Sequence, residues 1–464
     1  MGCVIPGWAQ DKLWGRSPSR AGRGGQRAAA GKGGQGVAAA SRDSPGTLVG
    51  SFALLRYSGL LGASKGRRTT RMSWDDGKLP RPLRCLALAL ASALLLLSQP
   101  HAGLCSAPAP TVRVEVNATA EPCPCAEPAL CSPVRGRRDF EVFVFDIGGK
   151  SWKSYDWSQI TTVAAFGKYD PELVCFAHSK GARVVLKGDI PLKNILEPAF
   201  REAWIAKQLQ LAQKQYMDGI NIDIEQEVEE GSPEYDALTA LVKETTEAFH
   251  REIEGSQVTF DVAWSPNCID KRCYNYKGIA DACDFLFVMS YDEQSQMWTE
   301  CVAAANAPYN QTLTGYESYL KMSIDPGKLV MGVPWYGYDY PCLTLSEDHV
   351  CALPKVPFRG APCSDAAGRQ VSYKAIMEQV NRSISEVLWD TQQQAPYYNY
   401  QDAAGQFHQV WYDNPKSISL KAAFVRDRGL RGIGMWNGNC LDYSGDAVAK
   451  QQTEDMWRAL EVNL

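Results

Sequence analysis

The chain has 464 residues, 45% hydrophobic and 10% aromatic, enough to bury a large core in one or two domains. Its formal charge of −4 is unevenly spread: residues 1–84 hold 15 Lys and Arg against 4 Asp and Glu, leaving 33 against 48 in the rest. So acidic a body argues against nucleic acid or an anionic membrane surface as a partner.

Residues 1–71 are rich in Gly, Ala, Ser and Arg, as in Ala21-Gly22-Arg23-Gly24-Gly25, and keep neither a helical nor a strand period. Met72 follows, then Lys78, Arg81 and Arg84, an apolar run over 86–97, and small residues. A basic flank, a short apolar run and small residues are the marks of a secretory signal peptide. The run is too short to span a bilayer comfortably, so no membrane anchor is expected. A signal works at the start of its chain. The expectation is therefore that 1–71 is a non-native or upstream extension, 72–107 the signal region with cleavage within 102–107, 108–140 a Cys-rich segment, and 141–464 the folded body.

Cysteine usage fits that route. Setting aside Cys3, Cys85 and Cys105 in the leader region leaves 12, an even number that points to mostly disulfides in a secreted chain, with connectivity open. Cys123, Cys125 and Cys131 lack the spacing of zinc ligands, and no metal or other cofactor is expected. Asn117, Asn310 and Asn381 each begin an Asn-x-Ser/Thr glycosylation sequon.

In the body, eight short β-rich runs recur: 141–146, 161–167, 182–188, 219–225, 258–264, 284–292, 329–337 and 432–437. Apolar residues at helical spacing fall between them, over 189–214 (Ile195, Ala199, Ile205, Leu209) and 234–254 (Leu238, Leu241, Val242, Phe249). Alternation of strand and helix implies parallel strands with right-handed crossovers, and eight of them imply a (β/α)8 TIM barrel of class α/β. Sites in that fold lie at strand C-terminal ends, where Glu225, Tyr291-Asp292, Trp335-Tyr336 and Trp436-Asn437 all fall. The stretch 338–431 is too long for a crossover. It reads as a small α+β insertion, with a strand over 407–412.

The most informative stretch is Asp218-Gly219-Ile220-Asn221-Ile222-Asp223-Ile224-Glu225. Its period of two sets Ile on one face and Asn221, Asp223 and Glu225 on the other, with Asp218 at or just before the strand start. Carboxylates two residues apart on a strand are ~6.5–7 Å apart at Cβ. Burying such a pair without purpose is costly, whereas unequal surroundings can keep one carboxyl protonated and the other ionised.

Asp218-Gly219-x-x-x-Asp223-x-Glu225 resembles the signature of the family-18 glycoside hydrolases, the chitinase family. Met289-Ser290-Tyr291-Asp292, Gly434-Met435-Trp436 and Trp411-Tyr412-Asp413-Asn414 extend the resemblance over roughly 140–460. It implies a retaining, substrate-assisted hydrolase, a recognised exception to the two-carboxylate scheme. Glu225 would be the general acid, Asp223 the partner of the substrate's acetamido N–H, and Tyr291 the donor to its oxygen. Trp436 would floor the sugar, with Asp218, Asn221, Asp292, Trp335, Tyr336 and Met289 as further substrate contacts. The wording of the motif and the Cys-rich start resemble the lysosomal branch of the family. That branch implies a monomer acting on N-glycan-derived or chitin oligosaccharides at GlcNAc-β-1,4-GlcNAc bonds. An endo-acting chitinase and a sugar-binding lectin are the alternatives, and the lectins usually lack the Glu that this chain keeps.

Two positions depart from the family. Asn221 stands where Asp is usual, which removes a like charge beside Asp223. Lys187-Gly188-Asp189 ends the third run where Ser-x-Gly-Gly is common, so no role is carried onto Lys187. N-terminal sequencing of the secreted protein should find a start within 102–107; recovery of residues 1–71 in the mature chain would overturn the leader assignment.

Overall fold

The computed structural model describes residues 122–136 and 138–462. The expected leader, its cleavage range and the sequon at Asn117 lie outside them. All eight β-rich runs form strands: β1 (Glu141–Asp146), β2 (Thr162–Ala165), β3 (Arg183–Gly188), β4 (Gly219–Ile222), β5 (Gln257–Ala263), β6 (Phe285–Met289) and β7 (Leu329–Pro334), with the eighth at Gly432–Trp436. They close into an all-parallel barrel in which that last strand bridges β7 and β1. The fold is the TIM barrel of the sequence reading. Several strands are shorter than their runs, β4 and β6 among them. The chain leaves the ladder after Ile222 and after Met289, so Asp223, Glu225, Tyr291 and Asp292 stand on loops just beyond the strand ends.

Helices fill the crossovers. Ser232 caps Pro233–Glu252 by accepting from the Tyr235 N–H, and Pro233 occupies its first turn, where no N–H is needed. The expected helix over 189–214 is broken into Leu192–Ile195 and Pro198–Lys214, because Pro198 can begin a helix but not continue one.

Phe143 and Phe145 of β1 meet Phe285 and Phe287 of β6 inside the barrel at 4.8–5.8 Å between ring centres, with all four rings buried. Each such ring contributes roughly 1.5–3 kcal/mol of burial. The Phe287 ring leaves no room for neighbouring side chains. A Cβ at Gly332 or at Gly434 would lie 2.7 and 2.9 Å from it, so both facing strands carry glycine there. The column ends at Trp436, whose ring packs 5.1 Å from Phe145 and stays partly exposed.

Between β7 and the last barrel strand stands an antiparallel sheet. It comprises β8 (Tyr336–Pro341), β9 (Thr344–Leu345), β10 (Cys351–Ala352), β11 (Arg369–Ser372), β12 (Leu388–Asp390), β13 (Ala395–Gln401) and β14 (Phe407–Trp411); β9 and β10 pair apart from the other five. The final barrel strand, Gly432–Trp436, is thus β15. The helix Pro415–Asp427, inside the stretch expected as insertion, is the crossover leading into β15. Among the described residues five disulfides form: Cys123–Cys131, Cys125–Cys175, Cys268–Cys273, Cys301–Cys363 and Cys342–Cys351. Cys440 is also disulfide-bonded, and Cys283 is a buried free thiol. No helix among the described residues is long and apolar enough to cross a membrane.

Asp218 is wholly buried at the N-terminal end of β4, the end of the barrel away from the loops that carry Asp223 and Glu225. It accepts from the backbone N–H of Val134 and of Val184, each at 2.7 Å, and from Nε2 of His178 at 2.8 Å. Nδ1 of His178 donates to the Leu130 carbonyl at 2.6 Å. Both ring nitrogens face acceptors, so His178 is a cation here. The expectation that Asp218 touches sugar is corrected: it straps the Cys-rich segment under the barrel. Asp218→Ala should lower stability by about 3–5 kcal/mol, since it strands a buried cation and two backbone donors. Denaturant unfolding measures this, and a change under ~1 kcal/mol would refute the strap.

Candidate active site

The loops at the C-terminal ends of β4, β5 and β6 converge. Glu225, Arg272, Met289, Tyr291 and Asp292 line one small hollow with Trp264, Asp270 and Ser295. The Asp223 N–H still bonds the Gly188 carbonyl at 2.8 Å, so β4 hands Asp223 over in strand geometry before the chain turns. Burial first, then the neighbouring Glu225 carboxylate, push the Asp223 carboxyl up to about 7. Lys187, with Nζ 3.5 Å from Oδ2, opposes that shift.

Asn221 and Asp261 are both buried on the inner wall. Asn221 Nδ2 donates to Thr259 Oγ1 at 2.9 Å and to Asp261 Oδ1 at 2.7 Å. The parallel register of β4 against β5 pairs Asn221 with Thr259, which brings Asp261 level with Asp223. Burial, and then the charge on Asp223, hold the Asp261 carboxyl well above the usual range. Two buried carboxyls side by side cannot both ionise cheaply. A third acid is thus present, but on β5 rather than at position 221.

Tyr291 is buried 6.1 Å from Tyr336, ring centre to ring centre, in an edge-on pair. Burial, then the charges of Asp261 and Glu225, keep its phenol protonated, a donor. Asp292 has a left-handed φ of 52°. Its N–H donates to Asn306 Oδ1 at 2.7 Å, and its Oδ1 accepts from the hydroxyls of Tyr336 and Tyr338, each at 2.7 Å. Residues of the loop after β6 and of β8 thereby fix one carboxylate at the mouth. Glu225 Oε2 accepts from Arg272 at 3.0 Å; the same guanidinium reaches Asp270, which Ser295 also bonds at 2.9 Å.

Trp436 joins this cluster through a chain of contacts. Its ring lies 5.6 Å from Phe166, and Lys187 Nζ sits 5.0 Å over the Phe166 ring while pairing with Asp223. Trp335 does not join it. Its ring is wholly buried against Trp457, 4.8 Å away, on the outward side of the chain, because neighbours in extended chain face opposite ways. The expected sugar contact at Trp335 is corrected to a core role, while Tyr336 faces the site. Asn310 and Asn381 are exposed. The Cys123, Cys125 and Cys131 sulfurs lie together but are bound in disulfides. Sequence reasoning missed Asp261, Lys187, Arg272 and Tyr338. Only Asp261 carried a signal, the alternation Gln257, Thr259, Asp261 against Val258, Phe260, Val262.

The profile of glycosyl hydrolases family 18 matches residues 143–439. The chain belongs to this family. It is an O-glycosyl hydrolase. Among family-18 relatives, the di-N-acetylchitobiase of Homo sapiens is 78% identical over 342 residues, 74% of this chain and 89% of the relative. That of Mus musculus is 77% identical, covering 74% of this chain and 93% of the relative. A class V chitinase from Nicotiana tobaccum, solved in complex with NAG4, shares the fold with a TM-score of 0.56 at 17% identity, covering 71% of this chain and 100% of that one.

Several buried carboxyls of this family-18 barrel keep protons that an unfolded chain would release. Burial pushes Glu293 up to about 8, alongside Asp223 and Asp261. His178, raised by Asp218 against its own burial, adds the same sign. Between pH ~4 and ~8 the folded chain therefore binds more protons than the unfolded one, so stability is fully present at the acid end and falls as pH rises. Calorimetry should show Tm declining from pH 5 to pH 8, and Glu293→Gln should flatten the decline; a Tm that climbs through this window would contradict the assignment.

Proposed function

We propose that this hydrolase cleaves the GlcNAc-β-1,4-GlcNAc bond at the reducing end of free N-glycan-derived oligosaccharides, in the lysosome, as a monomer. The observation that carries the reading is that Glu225 and Tyr291 line one small hollow, with the Asp223 carboxyl close enough to act on both, in a chain 78% identical to a di-N-acetylchitobiase.

The chemistry follows from the groups present. Glu225 protonates the glycosidic oxygen. The acetamido carbonyl oxygen of the substrate attacks C1 of its own sugar, the C1–O bond breaks, and an oxazolinium forms. Asp223, as carboxylate, accepts the acetamido N–H and balances the growing positive charge. The Tyr291 hydroxyl donates to the acetamido oxygen and holds it in line. Glu225, now a carboxylate, takes a proton from water as that water attacks C1 and the C1–O bond to the acetamido oxygen breaks, which regenerates the N-acetyl group and restores the configuration. Trp436 offers an apolar floor to the ring, and Asp292, held by Tyr336 and Tyr338, accepts from a sugar hydroxyl. Met289 and Asn221 act by packing and by holding Asp261.

Release of a single GlcNAc requires a closed leaving-group side. Support comes from the loops beyond Glu225. Cys268–Cys273 ties one, Cys301–Cys363 joins a second to a third, and Arg359 Nε pairs with Glu227 at 3.3 Å across them. An acidic compartment agrees with the proton-retaining carboxyls of the core. The test is mass analysis after incubation with free oligosaccharides ending in GlcNAc-GlcNAc, with the same glycans on asparagine, and with chitin. Free ends should lose one GlcNAc, asparagine should block, and Glu225→Gln should cut turnover by ~10²–10⁴. Equal cleavage of glycoasparagine or of internal chitin bonds would replace this reading with an endo-acting one.

A further inference from the structure

Asp223 must be a carboxylate when it meets the acetamido group, yet its surroundings press it to keep a proton. Its side chain is only 15% exposed. Glu225 stands two residues on, and Asp261 faces it from β5, level in the parallel register. Tyr291 faces the same cluster as a neutral phenol, and Arg272 is engaged by Glu225 and Asp270. Lys187 alone forms an ion pair with Asp223 among the described residues, with Nζ 3.5 Å from Oδ2.

The Lys187 side chain is held for that task. It leaves the end of β3, which pairs with β4 so that Lys187 is level with Asn221 and the ammonium reaches forward to Asp223. Its stem passes the Phe166 ring, 5.0 Å from Nζ to the ring centre, a cation–π contact that limits its freedom. Asp189, 73% exposed and 3.6 Å away, is a weak competitor for the charge.

We propose that Lys187 is a positioning residue of the hydrolase, the cation that favours the carboxylate form of Asp223 among three carboxyls and so helps it receive the substrate's acetamido N–H. The proposal rests on the acetamido-assisted reading of the site. Lys187 itself takes no part in bond making or breaking. Its partner set explains a peculiarity of this chain: an amide at 221 and a lysine at 187 stand together, one withdrawing a negative charge from beside Asp223 and the other supplying a positive one.

Two measurements separate the role from a structural one. In the free enzyme, the Asp223 carboxyl is followed by carbon-13 NMR during pH titration, assigned by its loss in Asp223→Asn. Lys187→Met should raise its titration midpoint by about one pH unit, the low end for losing an opposite charge at this range because Lys187 is partly solvated. Lys187→Arg should restore it. On chitotriose, Lys187→Met should move the acid limb of kcat upward by the same amount, so that turnover at pH 5 falls about tenfold while KM changes less. Tm should hold in both variants. An unmoved Asp223 midpoint in Lys187→Met would overturn the proposal, as would equal shifts in the Met and Arg variants. Failure of the acetamido-assisted reading is distinguishable, because wild-type enzyme would then leave chitotriose intact while the carboxyl titration still decides Lys187.

Discussion

A carboxyl buried beside other carboxyls, with one cation paired to it, is the constraint on which this site depends. Asp223 lies at the end of β4, facing Glu225 on its own loop and Asp261 on the next strand. In a low-dielectric interior, three such groups settle into unequal protonation. Two cations answer two of them, Lys187 on Asp223 and Arg272 on Glu225, while Asp261 receives only an amide donor from Asn221. Burial, and then the Asp223 charge, hold the Asp261 carboxyl well above its usual range. The site thus reaches unequal acids by its choice of partners.

The barrel supplies the rigidity that this arrangement needs. Strand ends fix the origin of each side chain, and the Phe143, Phe145, Phe285, Phe287 column fills the space beneath them. Gly332 and Gly434 matter here because a side chain on either would displace Phe287, and with it the ring contacts that seat Trp436. At the other end Asp218 uses its charge for the opposite purpose, to hold Val134, Val184 and a cationic His178. Two aspartates five residues apart in one motif therefore serve the two ends of the same strand, one structural and one at the mouth.

Much of this was legible in the sequence, and the failures have physical causes. Runs of β-branched residues mark buried parallel strands, so all eight barrel strands were visible. The acids of the motif stood out because three polar residues share one face. Asp218 was placed rightly at the strand start, but the resemblance carried it over as a substrate contact, and a strand start lies at the end of the barrel away from the loops that carry Asp223 and Glu225. Trp335 was misread because strand alternation near the end of β7 turns on one residue. Lys187 and Arg272 carry no local pattern; a lone cation becomes meaningful only when the fold sets a carboxylate beside it. The even count of cysteines suggested mostly disulfides; it did not mark Cys283, which sits in an apolar setting between helix and strand and behaves as a small hydrophobe.

The leaving-group side shows how loops complete what strands begin. Cys268, Asp270, Lys271 and Arg359 all hold positive φ between 43° and 58°, a conformation that non-glycine residues adopt at some cost. Such backbone persists only where its surroundings over-determine it. Here the Cys268–Cys273 bridge, the Arg272–Asp270 pair and the Ser295 hydroxyl do so. Arg272 is the common member, since it joins this strained loop to Glu225. Glu225 is consequently tied to the loop after β5 as well as to β4, through one guanidinium.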